Sequence, residues 1–216
     1  AESSCLRSIG LEHLEIEYTG YGYRIGAMTP EGEQQSVRVS QVILPCYTYV
    51  AEARGGDILF HAWVPRDDSS CWTWDIWFNE QKPIDAHEHM NRRGVWVDEN
   101  FRKLRNLDNE WMQDREAMRN KSFSGIYGIL TQDQAIQESM GPVYDRGREH
   151  LGTTDLGVLA LRKVLLEAVQ AVASGDEPTT RASRGRLDGL RSEQLTIPVD
   201  ASWREACPLP SEFALT

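Results

Sequence analysis

Six strand-like segments between Leu14 and Phe78 constrain the fold of this chain more than any other feature. The first of them, LEIEY, alternates apolar and acidic residues, which is typical of a half-buried antiparallel strand. The breaks between the segments are rich in Gly, Pro and Asp, which favour tight turns, and no helical pattern intervenes. The spacing therefore predicts an antiparallel sheet. The other five segments are GYRIGAM, SVRVSQVIL, CYTYVA, DILFHAWV and CWTWDIWF.

Two helices are predicted after a polar stretch over residues 85–114, which we expect to be a surface excursion with some helix. The first should run over residues 131–140, because Thr131 and Gln134 fit a capping box. The second should begin near Thr154 and end at Gly175. Its length allows it to lie across the sheet, so we expect an α+β fold with a pocket between sheet and helix. Its apolar stripe is predicted at Val158, Leu161, Leu165, Ala168, Val169 and Val172.

The charge balance argues against two classes of partner. The chain has 216 residues, with 23 Lys and Arg against 33 Asp and Glu, so its formal net charge is -10. A surface of that sign favours neither nucleic acid nor anionic membrane. No apolar run is long enough to cross a bilayer, the first residues do not resemble a signal peptide, and the four cysteines form no paired motif. We therefore expect a cytoplasmic protein without a nucleic-acid or membrane partner.

Three side chains are candidates for a functional site. His61 lies in an apolar strand, where it is either a satisfied core histidine or a hydrogen-bond partner for a ligand in the pocket. Arg24 lies among aromatic and small residues, and a structural salt bridge is favoured there over a clamp for a substrate carboxylate. Asp133 falls in the first turn of the first predicted helix. The helix dipole alone explains a carboxylate at that position, and a functional role is the alternative.

The sequence DAHEHM contains a second possible metal site. His87 and His89 form an H-x-H pair, which would share one face in a strand but not in a helix. Because the surrounding residues are polar, we interpret both as solvated surface histidines. The alternative is a zinc hydrolase built on the pair.

Two longer stretches resemble the catalytic domain of Rieske non-haem iron aromatic oxygenases, and most closely the phthalate 4,5-dioxygenase type. They are CYTYVAEARGGDILFHAWVPRDDSSCWTWDIWF and NEWMQDREAMRNKSFSGIYGILTQDQAIQESMGPVYDRGREHLGTTD. The resemblance covers about residues 1–175. It implies a helix-grip (START-like) fold, in which a curved antiparallel sheet of about six or seven strands wraps over a long C-terminal helix. Residues 176–216 are expected to form an extended C-terminal tail.

The resemblance also implies a mononuclear iron, Fe(II), held by two histidines and one aspartate. Asp133 resembles the carboxylate ligand, and His61 and Arg24 resemble or neighbour substrate-binding positions. The two histidine ligands are expected upstream of Ala1, as is the domain that binds the Rieske [2Fe–2S] cluster. We therefore expect an N-terminally incomplete catalytic domain, 1–175, that is inactive alone because one carboxylate does not hold iron.

The implied reaction is oxygenation of an aromatic acid such as phthalate. Electrons would pass from NADH through a reductase partner and the Rieske cluster to the iron, which activates O₂, and the α subunits would form a homo-trimer or hexamer. Two alternatives stay open: an aryl O-demethylase of the same family, and a non-catalytic helix-grip module that binds hydrophobic ligands.

Overall fold

A computed structural model of the protein describes residues 13–51, 57–178, 180 and 187–215. Its strands are β1 (His13–Thr19), β2 (Gly22–Glu31), β3 (Gln34–Ile43), β4 (Tyr47–Ala51), β5 (Ile58–Pro65), β6 (Cys71–Phe78) and β7 (Glu193–Pro198). Its α-helices are α1 (Ala86–Arg93), α2 (Arg115–Asn120), α3 (Ile129–Ser139), α4 (Leu156–Ala173) and α5 (Trp203–Ala206). Short 3₁₀ segments lie at Leu107–Met112, Arg146–Arg148, Thr153–Asp155, Leu187–Gly189 and Ser211–Phe213.

The described residues divide into two units. The sheet unit contains the seven strands together with α4 and α5, and the helical unit contains α1, α2 and α3. The fold class is α+β, and the sheet with its long helix is consistent with the helix-grip fold, as predicted.

The sheet follows the chain order from β1 to β6, and each strand is antiparallel to its neighbours. The six predicted strands are therefore confirmed. On the edge that faces away from β2, strand β3 pairs with two other strands. Its residues 41–43 pair with β4, and its residues 34–39 pair with β7, which comes from the C-terminal part of the chain.

Helix α4 packs on one face of the sheet, which we call the inner face. Tyr18, Tyr23 and Val42 stand side by side on β1, β2 and β3, and they pack with Ala160 and Val164 of the helix. The Tyr23 hydroxyl donates a hydrogen bond to the Gly157 carbonyl at 2.7 Å. Burial raises the pKa of this phenol to about 12, so Tyr23 keeps the proton that it donates.

The buried side of α4 agrees only in part with the predicted stripe. Leu161 and Leu165 of that stripe pack against the core with the buried Ala160 and Val164. Val158, Val169 and Val172 are exposed. Apolar residues occupy more than one face of this helix, so periodicity located the element but selected its packing face only in part.

The C-terminal segment covers the opposite face of the sheet, which we call the outer face. Trp203 and Cys207 pack against Met28, Val37 and Val39. Farther along the sheet, Phe213 and Leu190 pack against Tyr21 and Ile43. The extended tail predicted for residues 176–216 is therefore wrong for residues 187–215, which complete the core of the sheet unit.

The helical unit is joined by a close backbone contact between the end of α1 and the start of α3. Gly94 ends α1 with φ 73°, and Gly128 precedes α3 with φ 88°. A Cβ at Gly128 would lie 2.5 Å from the Gly94 Cα, which only glycine avoids. The Thr131 hydroxyl donates to the Gly94 carbonyl at 3.1 Å. The predicted capping box is therefore wrong: Gly128 is the N-cap, and Thr131 is a buried residue inside the helix.

Candidate active site

Three polar side chains stand in one row across the inner face of the sheet. Thr48 of β4 pairs directly with His61 of β5, and His61 pairs directly with Asp75 of β6. Residues paired across antiparallel strands project to the same face, so this row continues the line of Tyr23 and Val42, the two residues that pack on α4. Sequence analysis identified His61 but neither of its neighbours in the row.

His61 is held on two sides. Its Nδ1 lies close to Asp75 Oδ1, a buried oxygen without a hydrogen-bond partner among the described residues. The Trp63 ring, two residues along the strand, lies 3.7 Å from the imidazole centroid at 39°. His61 is 9% exposed. Its Nε2 and the Thr48 hydroxyl are buried without a hydrogen-bond partner in the described part of the chain. A buried polar atom of this kind favours a ligand or water, because an unmet hydrogen bond costs free energy.

Arg24 lies on the outer face, away from His61. Its Nε forms an ion pair with Glu17 across the β1–β2 ladder, and its Nη1 donates to the Cys207 carbonyl at 2.6 Å. The guanidinium also lies 4.9 Å from the Trp203 ring centroid, and the residue is 2% exposed. These contacts favour the structural interpretation of Arg24 over the substrate clamp. A carboxylate clamp beside His61 would have to come from another residue.

This interpretation of Arg24 gives a stability prediction. We expect Glu17→Gln to lower the free energy of unfolding by about 2–3 kcal/mol, at or below the lower limit of the roughly 3–5 kcal/mol for a broken buried pair, because Glu17 is partly exposed while Arg24 is not. The double variant Glu17→Gln/Arg24→Met should recover part of that loss, since it leaves no uncompensated buried charge. Urea unfolding followed by circular dichroism measures both. If the free-energy losses of Glu17→Gln and Arg24→Met add up to the loss in the double variant, the two side chains do not interact and the pairing is contradicted.

Asp133 is an exposed residue in the second turn of α3, four residues after the first helical residue. The first-turn position expected from the sequence is therefore wrong, and so is the simple explanation by the helix dipole, which weakens beyond the first turn. Asp133 lies close enough to Arg93 to act on it. Burial lowers the pKa of the Arg93 guanidinium, and the negative charge of Asp133 partly opposes that shift. Asp133 belongs to the helical unit and His61 to the sheet unit.

His87 and His89 lie on α1, where residues two apart point in different directions. His87 is exposed and lies 3.0 Å from the Asn91 amide nitrogen through its Nδ1. His89 is buried, with its Nδ1 3.4 Å from Arg92, so its prediction as a solvated surface histidine is wrong. This geometry does not favour a zinc site that uses both rings.

The described residues do not form a complete binding site for a mononuclear iron. Within residues 13–51, 57–178, 180 and 187–215, no three His, Cys, Asp or Glu side chains come together in a metal-binding group. A 2-His-1-carboxylate site needs three such ligands. Asp133, as an exposed carboxylate on a helix, fits one ligand of such a set, and the other two are not supplied by the described residues.

The sequence of this chain matches a known protein family over nearly its whole length. Residues 11–212 match the family model described as LigXa C-terminal domain like. The chain belongs to this family. The family match and the relatives below confirm the resemblance to the C-terminal domain of Rieske aromatic oxygenases. No helix among the described residues is long and apolar enough to cross a membrane.

Two curated relatives are oxygenase subunits of dioxygenases. The chain is 29% identical over 201 residues to the phthalate 4,5-dioxygenase oxygenase subunit of Pseudomonas putida, covering 89% of this chain and 46% of that protein. It is 29% identical over 213 residues to the 3-chlorobenzoate-3,4-dioxygenase oxygenase subunit of Comamonas testosteroni, covering 88% and 49%. The chain thus spans about half the length of these relatives, and it is related to oxygenase subunits that act on aromatic compounds.

The sequence of β6 indicates that Asp75 needs a partner, which the overall composition of the chain does not show. Asp75 is the only charged residue in the segment CWTWDIWF, and an isolated carboxylate in an aromatic strand needs a partner. The partner became identifiable only through the register of β5 and β6, which pairs Asp75 with His61. Thr48 carried no comparable signal, because threonine is common in strands.

Proposed function

We propose that this chain is the catalytic-domain portion of an aromatic ring-hydroxylating oxygenase that acts on an aromatic acid, with phthalate as the first substrate to test. The observation that carries the proposal is the similarity, over nearly nine-tenths of the chain, to two aromatic dioxygenase oxygenase subunits. The partly unsatisfied row of Thr48, His61 and Asp75 supports it, because such a row provides polar contacts to a ligand on the same face as the apolar cluster of Tyr23 and Val42.

Each residue has a defined part in this proposal. Asp133 contributes one ligand to a mononuclear non-haem Fe(II), and two histidines outside this chain contribute the others. When bound, such an iron supplies the activation of O₂. His61 contacts the substrate, and Trp63 packs against its imidazole and limits the positions that the ring can adopt. The apolar side chains around α4 exclude water from that face of the sheet.

The electron route also lies outside the chain. We propose that electrons come from NADH through a separate reductase and a Rieske [2Fe–2S] cluster, and that the oxygenase is a homo-oligomer, a trimer or hexamer of α subunits, in the cytoplasm. The alternatives from sequence analysis are an aryl O-demethylase of the same family and a non-catalytic module that binds hydrophobic ligands.

Product analysis tests the proposal in the longest natural form of the protein. Iron content is measured first, and the protein is then incubated with O₂, NADH, a reductase and either phthalate or a methoxybenzoate. A diol with added oxygen supports ring dioxygenation, whereas release of formaldehyde supports O-demethylation. Tight binding of aromatic acids without iron and without product would overturn the oxygenase proposal in favour of the binding module.

A further inference from the structure

Helix α4 is apolar on more than the side that packs on the sheet. Its 18 residues include only four polar ones, Arg162, Lys163, Glu167 and Gln170. A helix that is apolar around most of its circumference is normally buried on more than one side. A second, uncovered side carries five apolar side chains that are between 40% and 63% exposed. We call this side the outer seam, and it consists of Val158, Leu159, Leu166, Val169 and Val172.

The spacing within the outer seam indicates that its partner is a helix. Leu159 and Leu166 are seven residues apart, and Val169 follows three residues later. This is the spacing of the a and d positions along which two helices pack, with the side chains of one filling the gaps of the other. Arg162 occupies the remaining d position. In such a seam its aliphatic stem can lie against the partner while its guanidinium reaches a charged group at the edge.

The length of the relatives indicates where such a helix comes from. This chain matches a family model described as a C-terminal domain, and it covers only 46% and 49% of its two relatives. A contiguous apolar surface on one part of a protein marks a place where another part packs. A second copy of α4 is disfavoured as the occupant, because self-pairing would bring two Arg162 side chains and no carboxylate into the apolar seam.

We propose that the outer seam of α4 is the docking surface for an amphipathic helix from the part of the oxygenase subunit that lies outside these 216 residues. That helix presents apolar side chains at seven-residue spacing and a carboxylate opposite Arg162. The existence of that part of the subunit rests on the proposed function, which the outer seam deepens by naming a contact surface and the chemistry of its partner.

Labelling of introduced cysteines tests whether the outer seam is covered. In the longest natural form of the protein, Leu166→Cys should react with a maleimide at least about tenfold more slowly than Gln170→Cys, because a covered side chain reacts only when the contact opens. Gln170 is the matched control, since it is exposed on the polar side of the same helix. Peptide mass spectrometry distinguishes each introduced site from the native cysteines. Equal rates at the two positions would overturn the proposal.

Photo-crosslinking identifies the occupant without adding a polar group to the seam. With p-benzoylphenylalanine at position 166 of the longest natural form, we expect links to peptides outside these 216 residues. The linked peptide should carry apolar residues at seven-residue spacing, and the same probe at position 170 should give few links. Links to this chain's own residues, links that join two copies of α4, or a longest natural form without further residues would each overturn the proposal.

Activity measurements distinguish a failure of this docking surface from a failure of the proposed function. A protein that oxygenates aromatic acids while Leu166→Cys reacts as fast as Gln170→Cys overturns the docking surface alone. A protein whose outer seam is covered by a helix from outside this chain, but which forms no oxygenated product, overturns the proposed function alone.

Discussion

Replacement of Trp203 by alanine is expected to lower the free energy of unfolding by about 3–5 kcal/mol, the usual cost of removing a large aromatic side chain from a core. Trp203 is 1% exposed and packs with Val37 and Val39. Its indole also lies over Gly26, where a Cβ would approach within 2.6 Å, so the ring fills a space that only glycine leaves open. Its Nε1 donates to the Glu15 carboxylate at 2.8 Å. The measurement is urea unfolding of the longest natural form, followed by circular dichroism.

Trp203→Phe is the matched control, because it keeps most of the packing and removes the hydrogen bond to Glu15. We expect it to cost about 2–3 kcal/mol, close to the value of one hydrogen bond to a charged group with some lost packing. A loss below about 1 kcal/mol in Trp203→Ala would contradict the conclusion that the C-terminal segment is part of the core, since changes that small are typical of surface positions.

The pH dependence of stability separates packing from hydrogen bonding at this position. The hydrogen bond from Trp203 is the main cause that holds the pKa of Glu15 below its usual value, and Arg204 adds to it. A carboxyl whose pKa is lower in the folded state stabilises the fold above its unfolded pKa, and this contribution is lost as the pH falls through the folded pKa. Trp203→Phe should therefore show a smaller loss of stability on acidification than the wild type.

Strong local patterns made the sheet and the long helix predictable. β1 alternates apolar and acidic residues and α4 has a long apolar pattern, so neither depends on distant residues for its identity. The C-terminal segment was mispredicted because Trp203 and Phe213 are isolated among charged and polar residues, and their burial depends on the outer face of a sheet far away in sequence. For the same reason, the alternating pattern of β1 suggests that its acidic residues face solvent. In the structure, Glu15 accepts a hydrogen bond from Trp203, and Glu17 pairs with Arg24.

The candidate site was only partly predictable. His61 stood out because a histidine in an apolar strand is unusual, but its partner depends on strand register, which single-sequence patterns do not give. For Arg24, side-chain chemistry favoured a structural salt bridge while the family resemblance placed it near substrate-binding positions, and the face of the sheet on which it lies could not be known before the C-terminal segment was placed. The start of α3 was misjudged because Thr131 matches a capping box, whereas the close contact of Gly94 and Gly128 moves the true N-cap three residues earlier.

Asp133→Ala is expected to lower the iron affinity of the longest natural form by more than about 100-fold, beyond the 10–100-fold typical of groups that only support a ligand. Asp133 is the one residue of this chain proposed as an iron ligand, and two remaining histidines would form an incomplete site. Asp133 is exposed on α3 and alanine is the best helix former, so the helix should form in the variant. Because Asp133 also acts on Arg93, we expect the free energy of unfolding to fall by about 1 kcal/mol. Iron content after gel filtration measures the effect.

The control for Asp133 is Asp108→Ala, which removes an exposed aspartate from the Leu107–Met112 segment of the same helical unit. It should retain full iron. Because Asp133 also acts on the partly buried Arg93, a variant that loses iron by disturbing that arginine must be distinguished from one that loses a ligand. Asp133→Asn keeps the shape of the side chain but is a poor iron ligand, whereas Arg93→Lys keeps Asp133 and changes its neighbour. Loss of iron in Asp133→Asn with retention in Arg93→Lys is the result that ligation requires, and full iron in Asp133→Ala would contradict the assignment.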